Sequence, residues 1–167
     1  MEMKSKSIII YLGLGSNLGN RREAIEKAIL GLEKRGWQTL KTSGIYETPP
    51  WGLKAQPAFL NAVIKGCWEQ GAFKLLKNMM EVEAALGRER LEKWGPRVID
   101  IDMLSYGDEE INEQRLTVPH PYAAERAFVL LPWAEIASSH VMAGQSHSIA
   151  DLLAKLPEAD REAVKRI

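Results

Sequence analysis

Asp100 and Asp102 stand two apart on a segment, Ile99-Asp100-Ile101-Asp102-Met103-Leu104, that otherwise reads as a buried strand. Side chains two apart on a strand share a face, so the two carboxylates point the same way with Cα atoms roughly 6.6 Å apart. Ile99, Ile101 and Met103 take the other face. Two like charges in a half-buried setting repel and lose hydration, a cost that neutralisation or a cation must offset. Exposure or basic partners would be the ordinary explanation, yet Asp is depleted in strands and this one is otherwise apolar. The flanks favour a cation. Arg97 stands just upstream, and Arg88, Arg90 and Lys93 crowd the run before it. Basic groups beside an acidic pair suit a polyanion held through a metal, with the cations on oxygens the metal does not reach. That is the outline of a magnesium-nucleotide site.

The rest of the chain is long enough to build a scaffold for such a site. Its 167 residues, 46% hydrophobic, have the length of one domain with a real core. Lysine plus arginine equals aspartate plus glutamate at 22 each, so no overall field favours nucleic acid or an anionic membrane, and anion binding must come from a local cluster. The single Cys67 excludes an internal disulfide and reads as core filling in a reducing compartment. Lysines before Ile8-Ile9-Ile10-Tyr11-Leu12 mimic a signal peptide, but the apolar run is short and Gly-Ser-Asn turn chemistry follows it. No segment approaches the ~18 consecutive apolar residues of a membrane span. The expectation is a cytoplasmic monomer.

Periodicity gives a coarse order of elements. A strand over Ile8 to Leu14 leads through Gly15-Ser16-Asn17-Leu18-Gly19 to Asn20, which can cap a helix with Glu23 in the capping-box position. Ala24, Ile25, Ala28, Ile29 and Leu32 recur at helical spacing up to Gly36. A strand from about Gln38 to Tyr46 follows, then a Thr48-Pro49-Pro50-Trp51-Gly52 loop stiffened by its prolines. Phe59 to Trp68 reads as a strand, and Ala72 to Leu86 as a helix closed by Gly87. Arg88 to Pro96 reads as a mobile charged loop before the aspartate strand. This β-α-β-β-α-β order predicts an α+β, ferredoxin-like antiparallel sheet with helices packed on one face. A C-terminal extension adds a short strand near Glu110 to Asn112, a helix from Arg126 to Ile136 and another capped by Ser148 with Asp151.

Several weaker signals have ordinary explanations. Gly13 to Gly19 invites a dinucleotide-binding reading, but the spacing is off by one and no acidic residue ends the second strand, so it reads as a tight turn that can shape the floor of a site. His120 in Pro119-His120-Pro121 would alone be structural; with Arg88, Arg97 and Arg126 it becomes a phosphate contact. Asn61, Phe59 and Phe128 are individually core-like, Trp94 sits oddly on the charged loop, and Glu83 reads as a solvated helix flank or a substrate-side group.

Together, Gly-Ser-Asn at 15 to 17, Tyr46-Glu47-Thr48-Pro49-Pro50, Gln56-Pro57 with Phe59-Leu60-Asn61-Ala62, Lys93 to Leu104 and Leu116 to Pro132 resemble the 6-hydroxymethyl-7,8-dihydropterin pyrophosphokinase family of folate biosynthesis. The specific part is Trp-Gly-Pro-Arg-x-x-Asp-x-Asp at 94 to 102, and the resemblance runs to about Ile136. It implies transfer of the intact pyrophosphoryl group from ATP to the pterin hydroxymethyl oxygen, with AMP released and Asp100 and Asp102 holding two Mg²⁺. It implies that Arg88 and Arg97 stabilise the transferred charge, with Arg90, Trp94 and Glu83 beside the nucleotide. His120 and Arg126 would contact phosphates, Met103 and Thr117 would lie near adenine, and Arg115 on the ribose side. Phe59 and Phe128 would stack on the pterin, Asn61 would read its amide edge, and Thr48, Pro49 and Trp51 would complete that edge. Nucleotidyl transfer, cyclisation or nucleotide sensing on the same fold are the rival readings.

Overall fold

The computed structural model describes residues 7–49, 57–87 and 98–167. Arg88, Arg90, Lys93, Trp94, Arg97 and Trp51, and with them the expected charged loop, lie outside the described residues.

The first strand, β1, runs Ile8–Ser16, two residues past the expected end. Its glycines at 13 and 15 therefore lie in the strand and not in a turn. Helix α1, Arg21–Glu33, starts as the capping pattern predicts: the Asn20 side chain accepts from the Glu23 N–H at 3.1 Å. The expected single strand from Gln38 to Tyr46 is two, β2 at Gln38–Thr42 and β3 at Tyr46–Thr48, so Thr48 ends a strand and does not begin the loop. Both pair with the central strand β4, Phe59–Trp68. Helix α2, Ala72–Ala85, is followed by Gly87 at φ 86°, a conformation glycine adopts without a Cβ penalty. The aspartate strand, β5, is Asp100–Tyr106.

The sheet order is β5-β1-β4-β3, with β2 also on β4, and every one of these pairings is antiparallel. A hairpin, β6 Ile111–Asn112 with β7 Thr117–Val118, then leads through a cis Val118–Pro119 bond and a short 3-10 turn at Ala123–Glu125. Helix α3, Ala127–Ala137, and helix α4, Ile149–Ala154, follow, the latter capped by Ser148 as expected. Helix α5, Glu158–Glu162, leads to a last strand, β8 Lys165–Arg166, on the outer side of β3.

The two helices of the β-α-β-β-α-β core, α1 and α2, pack on one face of the sheet as expected, and α3 and α4 of the extension cover the other. On the first face Ile10, Leu12, Leu14, Leu60, Ile64, Ile101 and Met103 meet Ile25 and Leu32 of α1 and Leu75, Met79 and Val82 of α2. On the second, Tyr11, Val63 and Leu104 meet Leu130, Trp133 and Ile136 of α3 and Ile149 and Leu152 of α4. Even-numbered β5 residues face α3 up to Leu104, whereas Tyr106 packs on the α1 and α2 side. Two residues of β5 are spent between the pairs Leu12↔Met103 and Tyr11↔Ser105, a bulge at Leu104 that reverses the alternation. No helix of the described residues is long and apolar enough to cross a membrane.

The pairing at the C-terminal end of β4 depends on one missing side chain, at Gly66. A Cβ at Gly66 would run into the Trp37 ring and sit 2.6 Å from the Gln38 carbonyl oxygen. Gly66→Ala is expected to cost about 1–3 kcal/mol by overpacking. Urea unfolding should show it as a lower midpoint at unchanged slope; an unchanged midpoint would mean that Trp37 moves aside freely.

Candidate active site

Two cavities meet at the aspartate strand. The first lies on the α3 side of the sheet. Its floor is Gly13 and Gly15 of β1, its near wall Thr48, Pro49, Phe59 and Asn61, its roof Arg126, Phe128 and Val129, and its far side Asp100, Asp102 and Leu104. The floor exists because β1 presents glycines on that face, an alternation at 13 and 15 that marks a close approach to a strand backbone. A Cβ at Gly15 would stand 2.9 Å from Asn61 Oδ1, so even a methyl group would intrude. The sequence reading of Gly13 to Gly19 as a turn that can shape the floor of a site has the floor but not the conformation: both glycines belong to strand β1.

The second cavity wraps the open edge of β5 toward α2, between Phe73, Leu76, Lys77, Met80 and Glu83 of that helix, Asp100, Ile101 and Asp102 of β5, and Arg115. Among the described residues only Asp100 and Asp102 line both cavities. They alternate with Ile101 and Met103, which are 5% and 4% exposed in the core, so the shared face expected from their spacing is present.

The supports of each wall come from distant parts of the chain. Asn61 is buried and its Nδ2 donates to Thr48 Oγ1 at 3.1 Å, fixing the amide and tying β3 to β4. Arg21 donates to Glu47 at 2.9 Å and to the Ala58 carbonyl at 2.8 Å, and Asn17 Nδ2 to the Pro57 carbonyl at 3.1 Å. The turn that resembled a dinucleotide loop thus anchors the start of β4, where Phe59 sits. Glu83 is not solvated, and it lines the second cavity. It is 6% exposed, and its Oε2 accepts from the Ile101 N–H at 2.9 Å, bracing the edge strand between the two aspartates. An edge-strand N–H needs such an acceptor.

The remaining candidates divide unevenly. Arg115 lines the second cavity with its guanidinium 4.7 Å from the Phe73 ring centroid. Arg126 lies in the first cavity, between the rings of Tyr122 and Phe128 at 5.2 and 5.6 Å, beside the aromatic candidates and not among the α2 residues. The Met103 side chain packs in the core and lines neither cavity. Thr117 is exposed on the small hairpin.

His120 is held by its backbone, whose N–H donates to the Leu104 carbonyl at 3.0 Å. Its Nδ1 accepts from the Tyr122 N–H at 3.2 Å, which leaves the ring proton of the neutral form on Nε2. Burial first and the Arg126 charge second pull its pKa below 6.5, against an upward pull from Asp100. The neutral ring is therefore favoured by folding; its stabilising contribution is complete above pH 6.5 and is lost as pH falls through the lowered value. NMR titration is expected to give a His120 midpoint below 6.5. A midpoint at or above 6.5 in the free protein would rule out the burial and Arg126 effects.

The model of the 7,8-dihydro-6-hydroxymethylpterin-pyrophosphokinase (HPPK) family matches residues 11–138. The chain is 43% identical over 156 residues to the 2-amino-4-hydroxy-6-hydroxymethyldihydropteridine pyrophosphokinase of Methylorubrum extorquens, covering 93% of this chain and 98% of that one. It is 37% identical over 159 residues to the protein of the same name from Haemophilus influenzae, covering 95% and 98%. Among solved structures, an HPPK-DHPS in complex with substrates is similar with a TM-score of 0.77 at 14% identity, over 95% of this chain and 46% of that one. Plasmodium falciparum HPPK-DHPS with pteroate gives 0.74 at 15% identity, over 93% and 43%. This chain spans less than half of those two, and the likeness to them concerns the fold.

Proposed function

The chain belongs to the 7,8-dihydro-6-hydroxymethylpterin-pyrophosphokinase family, and from that membership we propose that it transfers the pyrophosphoryl group of ATP to the hydroxymethyl oxygen of 6-hydroxymethyl-7,8-dihydropterin, releasing AMP, in folate biosynthesis. The observation that carries this to particular residues is the meeting of two cavities at Asp100 and Asp102 alone among the described residues. One cavity is lined by two aromatic rings, Phe59 and Phe128, and by the fixed Asn61 amide; the other has Arg115 and Lys77 on its walls.

In this reading the pterin lies between Phe59 and Phe128, its amide edge against Asn61 and the backbone of Thr48, Pro49 and Trp51. The nucleotide occupies the second cavity, with Arg115 on the ribose side and Met103 backbone and Thr117 near adenine. Glu83 holds the strand against which it lies. His120 and Arg126 take phosphate oxygens, and Arg126, from its place beside Phe128, reaches the group as it arrives at the pterin. Arg88 and Arg97 stabilise the transferred charge, with Arg90 and Trp94 on the nucleotide. The hydroxymethyl oxygen attacks the β-phosphorus and the bond to the α-phosphate oxygen breaks, so the protein supplies position and charge and no covalent nucleophile.

The donor set suits magnesium brought in with ATP. No group of three or more His, Cys, Asp or Glu side chains gathers among the described residues, and Mg²⁺ is commonly held by one or two carboxylates plus phosphates and water. Two ions held by Asp100 and Asp102 would withdraw charge from the reacting phosphates. The order β5-β1-β4-β3 supports a ferredoxin-like core for residues 1–167 as one pyrophosphokinase domain with a helical extension. The lone Cys67 supports a cytoplasmic location, where the chain would act as a monomer.

Incubation with ATP, Mg²⁺ and the hydroxymethyldihydropterin should give AMP in step with pterin diphosphate. ADP or free pyrophosphate as the nucleotide product would sink this chemistry in favour of another transfer. Tight ATP binding without turnover of the pterin would favour a sensing module.

A further inference from the structure

The near wall and the roof of the first cavity are joined by no sheet hydrogen bonds. Thr48 and Pro49 stand on or just after β3, whereas Phe128 stands on α3. Strand β3 is three residues long, and a strand that short frays unless something secures its outer side. What secures it comes from the last residues of the chain. Strand β8 pairs with it at Tyr46↔Arg166 and Glu47↔Lys165, and the Ile167 N–H donates to the Ile45 carbonyl at 2.9 Å.

One carboxylate gathers these parts. Glu135, two turns beyond Phe128 on α3, accepts from the Gly44 N–H at 2.7 Å through Oε2. Through Oε1 it accepts from the Tyr46 hydroxyl at 2.6 Å and from Arg166 Nε at 3.0 Å. Below it, Val164 is buried with Tyr46 and Ala127, and Phe128 and Leu131 pack against that cluster. The Arg166 guanidinium lies across Gly44, where a Cβ would stand 2.6 Å from Nε. Two unconnected walls of one cavity are thereby set at a fixed separation.

We propose that Glu135 and Arg166 are positioning residues for the pterin: with β8 they hold the Thr48 wall and the Phe128 wall at the spacing that grips the ring. This rests on the reading of the first cavity as the pterin site. Among the described residues the strap packs on β3 and α3, at the opposite edge of the sheet from β5, so its loss acts first on the pterin walls.

Steady-state kinetics with the pterin varied, a separate ATP-binding titration and thermal melts test it on Glu135→Ala, Arg166→Ala, Arg166→Lys and Tyr46→Phe. The two alanine variants should raise pterin KM about tenfold, the scale of lost supporting hydrogen bonds around a site, with kcat within about twofold and ATP affinity unchanged. Arg166→Lys should recover most of the loss. Tyr46→Phe, which deletes only a hydroxyl and keeps the packing, should raise KM about two- to threefold, so the test survives if Glu135→Ala folds poorly. Pterin KM unchanged across the set, or pterin KM rising and ATP affinity falling together as the melting temperature drops, would overturn the proposal. A wild-type chain that makes AMP while the variants keep its KM refutes the strap alone; a wild-type chain that binds no pterin removes the reading of the cavity and the strap with it.

Discussion

Asp102→Asn is expected to lower kcat for AMP formation by about 10³-fold or more while leaving the melting temperature close to wild type. The substitution keeps the side-chain volume on β5 and removes one of the two carboxylates that line both cavities. Lewis-acid stabilisation by bound metal is worth several kcal/mol in a transition state, and about 4 kcal/mol corresponds to a thousandfold in rate. The magnesium concentration giving half-maximal rate should rise as well, because an amide oxygen is a neutral ligand where a carboxylate was. Asp100→Asn should act similarly with one added signature. Asp100 pulls the His120 pKa upward, against burial and Arg126, so its neutralisation should lower the His120 midpoint further. A variant of either residue with near-normal rate and magnesium dependence would remove the metal reading, and a stationary His120 midpoint would separate Asp100 from the phosphate end of the site.

How much of this was legible in the sequence depends on the distance over which each feature is decided. The aspartate pair was readable because face alternation is a property of neighbouring residues; its two faces follow from spacing alone. Strand β4 and the Asn20 and Ser148 caps were readable for the same reason. The break between β2 and β3 was not. There, Ser43 Oγ accepts from the Val63 N–H at 2.9 Å and the Gly44 N–H goes to Glu135, partners 20 and 91 residues away that replace the regular ladder. The bulge at Leu104 is likewise a mismatch between two strands and leaves no trace in either one read alone. Glu83 shows the limit most clearly. Helical periodicity placed it on a flank, and only the arrival of the β5 edge beside α2 gives its carboxylate a backbone N–H to accept from. Arg126 was assigned through resemblance to the nucleotide phosphates; its position between two rings in the aromatic cavity follows from where α3 begins, which the sequence does not fix relative to the sheet.

Gly15→Val is expected to raise pterin KM by about 10²-fold and leave ATP affinity unchanged within about twofold, the effect of misplacing a reactant by the width of a methyl group. The fold should tolerate it. Gly15 lies in a strand, is not among the positive-φ glycines, and receives a β-branched residue that strands favour. The damage is local to the cavity floor: the new Cβ would stand 2.9 Å from Asn61 Oδ1 and 3.8 Å from Phe59 Cδ1, displacing the amide and the ring proposed to hold the pterin. Gly13→Ala is the matched control on the same strand face, because its Cβ would meet only Leu104 at 3.4 Å, ordinary contact. It should change pterin KM much less. The second cavity lies across β5 and includes neither glycine, so a loss of ATP binding in Gly15→Val would mean that the two substrates are assigned to the wrong sides of the aspartate pair. An unchanged pterin KM would mean that the ring does not rest on β1 at all, and the alternating glycines would then answer only to the packing of Asn61 and Leu104 against the strand.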